Sequence, residues 1–182
     1  MTILTLPSAV AEMPTAAEIT GRLDAAAGPD RQPPADMADL TARLRALLNV
    51  QAHRQTPLPL GGGLFEVVIT GPDGAAEALE RMDVQQGGCG PVIQDPAGWL
   101  YWLVPPGTRR RWAWHSYAVC LGAPHTLLLP PLNRDAPPGA YWLRPPRSDR
   151  LVPVEPLRRV LAAARPEPAP HREIAAHLGS AH

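Results

Sequence analysis

Six residues in one short segment combine cationic and aromatic side chains, and they are the strongest candidates for binding chemistry. They are Arg109, Arg110, Arg111, Trp112, Trp114 and His115. Guanidinium groups contact phosphate oxygens, and indole rings stack on nucleic-acid bases. The segment therefore predicts a binding site for nucleic acid or nucleotide. A solvated basic turn whose tryptophans pack inward has the same composition, so both interpretations stay open.

The histidines and cysteines predict neither a metal site nor a nucleophile. His115, Cys120 and His125 lie five residues apart, which matches no standard zinc signature, and no fourth ligand accompanies them. Cys89 follows two glycines and has no histidine near it in the sequence to act as a base. No nucleophile elbow of the Gly-x-Ser-x-Gly type is present. We therefore expect no bound metal.

Composition excludes several classes of function. The chain has 182 residues, enough for one domain with small additions. Its formal net charge is zero, so no global field attracts nucleic acid or membranes. All 17 basic residues are arginines, which excludes lysine Schiff bases and a P-loop lysine. Two cysteines, no signal peptide and no apolar run of about 18 residues predict a cytoplasmic protein without a membrane span.

Hydrophobic periodicity predicts an α+β fold. A first helix begins with a capping box at 15–18 and is ended by Gly28 and Pro29, and a second helix begins at Asp36, so the chain opens with a helical pair. The second helix carries an apolar stripe formed by Met37, Leu40, Leu44, Leu47 and Leu48. Strand, helix, hairpin, short helix and further strands follow at 64–69, 75–82, 92–104, 108–115, 117–121, 126–129 and 140–143, before a last helix from Pro153. This mixture fits α+β better than a doubly wound sheet.

Two groups of residues resemble motifs of a known family. Residues 97–105, Ala-Gly-Trp-Leu-Tyr-Trp-Leu-Val-Pro, look like a Gly-Gly-x-His-x-Tyr-Phe-x-x-Pro strand. Residues 127–131, Leu-Leu-Leu-Pro-Pro, and then 139–142, Gly-Ala-Tyr-Trp, look like an apolar strand, a Pro-Pro-Ser loop and a Gly-x-Tyr-x-Trp return. In this order they resemble the N-terminal primase–polymerase domain of bacterial bifunctional DNA primase/polymerases, in the archaeo-eukaryotic primase superfamily. The match covers somewhat under half the chain.

The resemblance implies a fold and a context. The fold would be a mostly antiparallel primase–polymerase-like sheet with flanking helices, and the context would be DNA replication. We accordingly divide the chain into an N-terminal helical extension at 1–55, a primase–polymerase-like domain at 56–165 and a flexible C-terminal tail at 166–182. The strand at 64–69 stands where the family's first catalytic strand would be.

The chain departs from the family at the residues that carry its chemistry. Active members hold divalent metal with an Asp-x-Asp or Asp-x-Glu pair, whereas this chain has Glu66 followed by Val68. Leu100 replaces the family's phosphate-contacting histidine, Leu132 replaces the serine after Pro-Pro, and residues 116–122 lack the later aspartate. Two-metal phosphoryl transfer needs several oxygen ligands. Glu66 is thus the only remaining candidate catalytic acid, and we expect an inactive relative, a pseudoenzyme without a cofactor.

The strand faces that would carry the family's active site are mostly apolar in this chain. Strand alternation places on them, beside Glu66, the residues Leu64, Val68, Leu100, Trp102 and Val104. We predict either an apolar binding face for a small ligand or a protein partner, or a face that the N-terminal helices cover. In the covered case Glu66 pairs with an arginine such as Arg144, which is also a candidate contact for nucleic acid.

Three functions follow from these patterns. The first is a catalytically inactive domain that acts as a nucleic-acid- or nucleotide-binding or regulatory module. The second is an active DNA primase/polymerase in which Asp73, Asp83 or Asp95 joins Glu66 around Mg²⁺ or Mn²⁺. The third is a protein-interaction or dimerisation module that uses the apolar sheet face and the helix at 37–48.

Overall fold

A five-stranded antiparallel sheet forms the centre of the fold. The computed structural model describes residues 36–51, 53–61, 63–86, 89–146, 150–164 and 176. Four helices lie within them: α1 Met37–Val50, α2 Ala75–Gln86, α3 Thr108–Arg111 and α4 Val154–Ala164. Seven strands also lie within them: β1 Thr56–Pro59, β2 Glu66–Thr70, β3 Val92–Gln94, β4 Leu100–Val104, β5 Ala118–Leu121, β6 Thr126–Leu129 and β7 Tyr141–Arg144. The predicted α+β class is confirmed.

Strands β2 and β4 lie at the middle of the sheet, whose order is β5-β2-β4-β3-β7 with every neighbouring pair antiparallel. Val68 of β2 lies between Trp102 of β4 and Cys120 of β5. Every residue of β2 and of β4 is buried. Both strands read as nearly continuous apolar runs because both of their faces are covered. A separate two-stranded sheet pairs β1 with β6.

Helices α2 and α4 cover one face of this sheet. The residues that pack together there are Val68, Leu100, Trp102 and Val104 from the strands, Ala78 and Met82 from α2, and Leu157, Val160 and Leu161 from α4. Within this layer the Trp102 indole Nε1–H donates a hydrogen bond to Thr70 Oγ1 at 3.0 Å, which satisfies two buried polar groups. The helices over this face therefore come from the middle and the end of the described chain.

Helix α1 covers the opposite face. It begins where predicted, since the Asp36 carboxylate accepts a hydrogen bond from the Ala38 backbone N–H at 3.0 Å and so caps the helix. Its buried leucines, which pack with Phe65, Val67 and Ile69, are Leu40, Leu44 and Leu48. Helix α1 shares a core with the sheet, so the predicted boundary at residue 55 separates two parts that pack together. The predicted helix that begins at Thr15 lies outside the described residues, as do all residues of the 166–182 tail except Ala176.

Replacing Leu44 by alanine should lower the free energy of unfolding by about 2–5 kcal/mol, because the lost side chain leaves a cavity between α1 and the sheet. Leu47→Ala on the same helix is the matched control, since Leu47 is 45 % exposed. The control should cost about 1 kcal/mol or less. Urea denaturation followed by circular dichroism measures both values, and equally small losses would mean that α1 does not belong to the core.

Candidate functional site

Glu66, the candidate catalytic acid, begins strand β2 and is only 6 % exposed. Its Oε2 accepts a hydrogen bond from the Arg109 backbone N–H at 2.6 Å. On its other side a Cβ built on Gly122 would lie 2.9 Å from Oε1, so the turn after β5 packs directly against the carboxylate. Protein groups therefore lie against both oxygens of this buried carboxylate.

Two of the other candidate metal ligands, Asp83 and Asp95, make contacts of their own. Asp83 pairs with Arg144, whose Nε lies 3.1 Å from Oδ2. Asp95 Oδ1 accepts hydrogen bonds from the backbone N–H groups of Ala97 and Trp99, both at 2.9 Å, in the turn between β3 and β4. In the part of the chain that the structure describes, no three His, Cys, Asp or Glu side chains come together as metal ligands.

Two expectations about Arg144 need correction. It binds Asp83 rather than Glu66. It also lies on β7, at one edge of the sheet, whereas β5, the strand that contacts α3, forms the other edge. Four strand spacings of about 4.8 Å place these edges about 19 Å apart. The structure therefore does not bring Arg144 together with the other predicted nucleic-acid contacts.

The predicted apolar binding face is part of the core. Val68, Leu100, Trp102 and Val104 have at most 1 % of their surface exposed because α2 and α4 cover them. Leu64 lies before β2 begins and packs in the opposite core layer, so it does not share their face. Among the described residues the covering helices thus differ from the N-terminal ones that the sequence suggested, and no open apolar sheet face is left there.

The three arginines of α3 are exposed. Among the described residues no carboxylate oxygen lies within 4.0 Å of the Arg109, Arg110 or Arg111 guanidinium groups. Arg109 Nη1 donates a hydrogen bond to the Ala123 carbonyl oxygen. Trp114 follows closely in the chain and is 72 % exposed. Three exposed arginines and a largely exposed indole therefore lie close to one another in the chain.

Arg158 of α4 joins this group, although the sequence did not single it out. Its guanidinium carbon lies 5.2 Å from the Trp112 ring centroid, a cation–π contact, and its Nη1 donates a hydrogen bond to the Ala113 carbonyl oxygen at 3.4 Å. Trp112 packs partly into the core layer under α4, and its Nε1–H has no hydrogen-bond partner among the described residues. We call Arg109, Arg110, Arg111, Trp112, Trp114, His115 and Arg158 the basic–aromatic surface.

His115 is held between two aromatic rings. Its ring centroid lies 6.2 Å from that of Trp112 and 5.5 Å from that of Tyr117, and its Nδ1 accepts a hydrogen bond from the Tyr117 backbone N–H at 3.2 Å. Burial lowers the pKa of His115 below its usual 6.5, and the positive charge of Arg158 lowers it further. The imidazole is therefore neutral at pH 7, with Nδ1 acting as an acceptor.

The two thiols are unsuited to nucleophilic chemistry in this state. Burial, followed by the negative charge of Glu66, raises the pKa of Cys120 to about 12. Burial, followed by the negative charge of Asp83, raises the pKa of Cys89 to about 12. Both groups are therefore protonated at neutral pH, and a protonated thiol is neither a good nucleophile nor a metal ligand.

A surface cleft of about 340 Å³ was not anticipated from any motif. Its lining residues are His53, Pro131, Asn133, Arg134, Asp135 and Ala136. Arg134 makes two hydrogen bonds to the segment that leads into β7. Its Nη1 donates one to the Pro138 carbonyl at 3.5 Å, and its own carbonyl accepts one from the Trp142 N–H at 2.8 Å. The cleft mixes charges of both signs and includes none of the predicted site residues.

Comparison with protein-family models, with curated proteins and with solved structures finds no match for this chain. The resemblance to primase–polymerase domains therefore stays a prediction. No helix within the described residues is long and apolar enough to cross a membrane.

Acidification below pH 6.5 should destabilise the protein through His115. Because the pKa of this histidine is lower in the folded protein than its usual 6.5, the unfolded chain binds more protons below that pH. The free energy of unfolding should fall from about pH 6.5 down to the lowered folded pKa, and His115→Asn should flatten this dependence. Thermal unfolding at a series of pH values measures the slope. An unchanged slope in His115→Asn would contradict the assignment.

Proposed function

We propose that the protein is a non-catalytic module that binds single-stranded nucleic acid through the basic–aromatic surface. The observation that carries this proposal is the combination of three exposed arginines with a tryptophan that is 72 % exposed. Guanidinium groups bind phosphate oxygens through charge-assisted hydrogen bonds. An accessible indole offers a flat surface on which a base can stack.

A neutral chain can still bind a polyanion locally. Formal net charge is zero, but the Debye length is about 8 Å at physiological salt, so a bound strand senses the nearest charges. Glu66, whose carboxylate accepts a hydrogen bond from the Arg109 backbone N–H, is only 6 % exposed. A strand that crosses Arg110, Arg111 and Arg158 would contact three positively charged groups.

Stacking favours unpaired bases over a duplex. In double-stranded DNA each base is already stacked between its neighbours, whereas unpaired bases are free to lie on aromatic rings. The Trp114 side chain is 72 % exposed, and the Arg158 guanidinium lies over the Trp112 ring. We therefore assign base stacking to Trp114 and a supporting role to Trp112.

The surroundings of Glu66 support the non-catalytic part of the proposal. Its carboxylate accepts a backbone hydrogen bond and packs against Gly122. A direct test is primer synthesis and extension by the purified protein with Mg²⁺ or Mn²⁺, nucleotides and a single-stranded template. Metal-dependent synthesis that Glu66→Ala abolishes would establish an active primase/polymerase and overturn the proposal.

Removing the three arginines of α3 should weaken binding and reduce its salt dependence. Each phosphate contact on a single strand contributes about −0.7 to the slope of log K against log salt concentration, so an Arg109/Arg110/Arg111 triple alanine variant should lose about 2 from the magnitude of this slope. Fluorescence anisotropy with labelled oligodeoxythymidine measures both quantities. The matched control removes Arg43, Arg45 and Arg54, none of them on the proposed surface, and should bind like the wild type. Equal losses in both triple variants would show a nonspecific charge effect.

Replacing Trp114 by alanine should weaken binding of single-stranded DNA by about 1–3 kcal/mol, the usual contribution of one stacked base. Trp114→Phe keeps an aromatic ring and should retain most of the affinity. Binding to a duplex of the same length should be weaker in the wild type and should change little in Trp114→Ala. An alanine variant with unchanged affinity for single strands would exclude stacking on this residue.

A further inference from the structure

We propose that Glu66 is a positioning residue that holds α3 in the orientation needed for nucleic-acid binding. This inference rests on the proposed function, because it explains how the chain presents the basic–aromatic surface. It assigns the buried acid to the architecture of that surface instead of to metal chemistry.

The first step concerns the backbone of α3. The initial N–H groups of a helix have no acceptor within the helix, and the side chain of the N-cap residue usually supplies one. Here the N-cap is Gly107, at φ 80°, which makes no side-chain capping hydrogen bond. Glu66 of β2 supplies the missing acceptor instead, because its Oε2 lies 2.6 Å from the Arg109 nitrogen. A residue 43 positions earlier in the chain thus does the work of a helix cap.

The second step concerns how closely the neighbouring turn fits the carboxylate. A Cβ on Gly122 would lie 2.9 Å from Glu66 Oε1 and 3.3 Å from Arg109 Cδ. Glycine is therefore the residue that leaves room for both side chains. The next residue, Ala123, accepts a hydrogen bond from the Arg109 guanidinium. Strand β2, the start of α3 and the turn after β5 are tied together around one carboxylate.

The third step concerns why α3 needs this support. A helix of four residues is too short to be stable alone. At its start, Thr108 is buried and its Oγ1 donates a hydrogen bond to the Pro105 carbonyl at 2.6 Å. Glu66 adds a second anchor one residue later. Ordering the arginines before the ligand arrives reduces the entropy that binding costs.

The negative charge of Glu66 and its positioning role should affect nucleic-acid binding in opposite directions, which allows a clear test. A negative carboxylate beneath the arginines weakens their attraction for phosphate, so losing only its charge should favour binding. Glu66→Gln keeps a side-chain oxygen acceptor and removes the charge, whereas Glu66→Ala removes both. If Glu66 positions α3, the glutamine variant should bind at least as tightly as the wild type and the alanine variant more weakly.

The experiment measures affinity for labelled oligodeoxythymidine and hydrogen exchange of the Arg109 amide. We expect Glu66→Ala to weaken binding by about 2- to 30-fold, the effect of losing one helix cap, and to expose the Arg109 amide to exchange. Glu66→Gln should rescue both readouts. Gly122→Ala should mimic Glu66→Ala, because its added Cβ displaces the carboxylate.

The control is Ile69→Val, a destabilising change in the same strand whose side chain packs in the opposite core layer. It should leave affinity and Arg109 protection unchanged. If it weakens binding as much as Glu66→Ala does, or if Glu66→Ala retains full affinity with a protected Arg109 amide, the positioning role is refuted. If the wild type does not bind oligodeoxythymidine, the proposed function fails. The amide exchange of the same variants then decides separately whether Glu66 anchors α3.

Discussion

Burial of the β2–β4 pair on both faces is the constraint on which the rest of the structure depends. Two adjacent strands without an exposed residue need a cover on each side, and α1 supplies one while α2 and α4 supply the other. A buried carboxylate without partners costs several kcal/mol, so an acid in such a strand must find a donor. Glu66 is the first residue of β2 and lies opposite Val104, the last residue of β4. Five residues after Val104, the Arg109 backbone N–H donates a hydrogen bond to the Glu66 carboxylate. The core thereby determines where α3 begins.

The sequence predicted which helices and strands exist better than it predicted which of them pack against each other. The strand β2, the hairpin β3–β4 and the stripe of α1 follow from local periodicity, and the structure contains each of them, except that Leu47 of the predicted stripe is 45 % exposed. An amphipathic stripe shows that a helix packs on something, but not on which face of a sheet. Helices α2 and α4 share one face although 67 residues separate their ends, from Gln86 to Val154 counted by number. Leu64 shows a second limit, because alternation applies only within a strand, and β2 begins two residues later.

In the candidate site too, the sequence indicated the features that depend on neighbouring residues and missed those that depend on tertiary packing. The sequence left open whether the tryptophans pack inward or are available for stacking on bases. Trp112 packs partly into the core, whereas Trp114 is largely exposed, so each interpretation holds for one of the two residues. The sequence alone showed that the arginines of α3 form one basic group, because residues that are neighbours in the chain stay close together in any fold. Arg158 was not indicated, since its contact with Trp112 depends on the docking of α4. Arg144 was grouped with the site by its type alone, and strand order places it at the other sheet edge.

The use of arginine as the only basic side chain matters physically at this surface. A guanidinium is planar and weakly hydrated and carries five donors, whereas an ammonium is a strongly hydrated point charge. The Arg158 guanidinium lies over the Trp112 ring and donates one hydrogen bond to the Ala113 carbonyl. Arg109 uses Nη1 on the Ala123 carbonyl and keeps further N–H groups for a phosphate. The same side chains can therefore build the surface and bind a ligand, a double role that lysine with its three donors on one nitrogen would perform poorly. A composition that is uniform along the whole chain thus has a specific consequence where arginines and indoles meet.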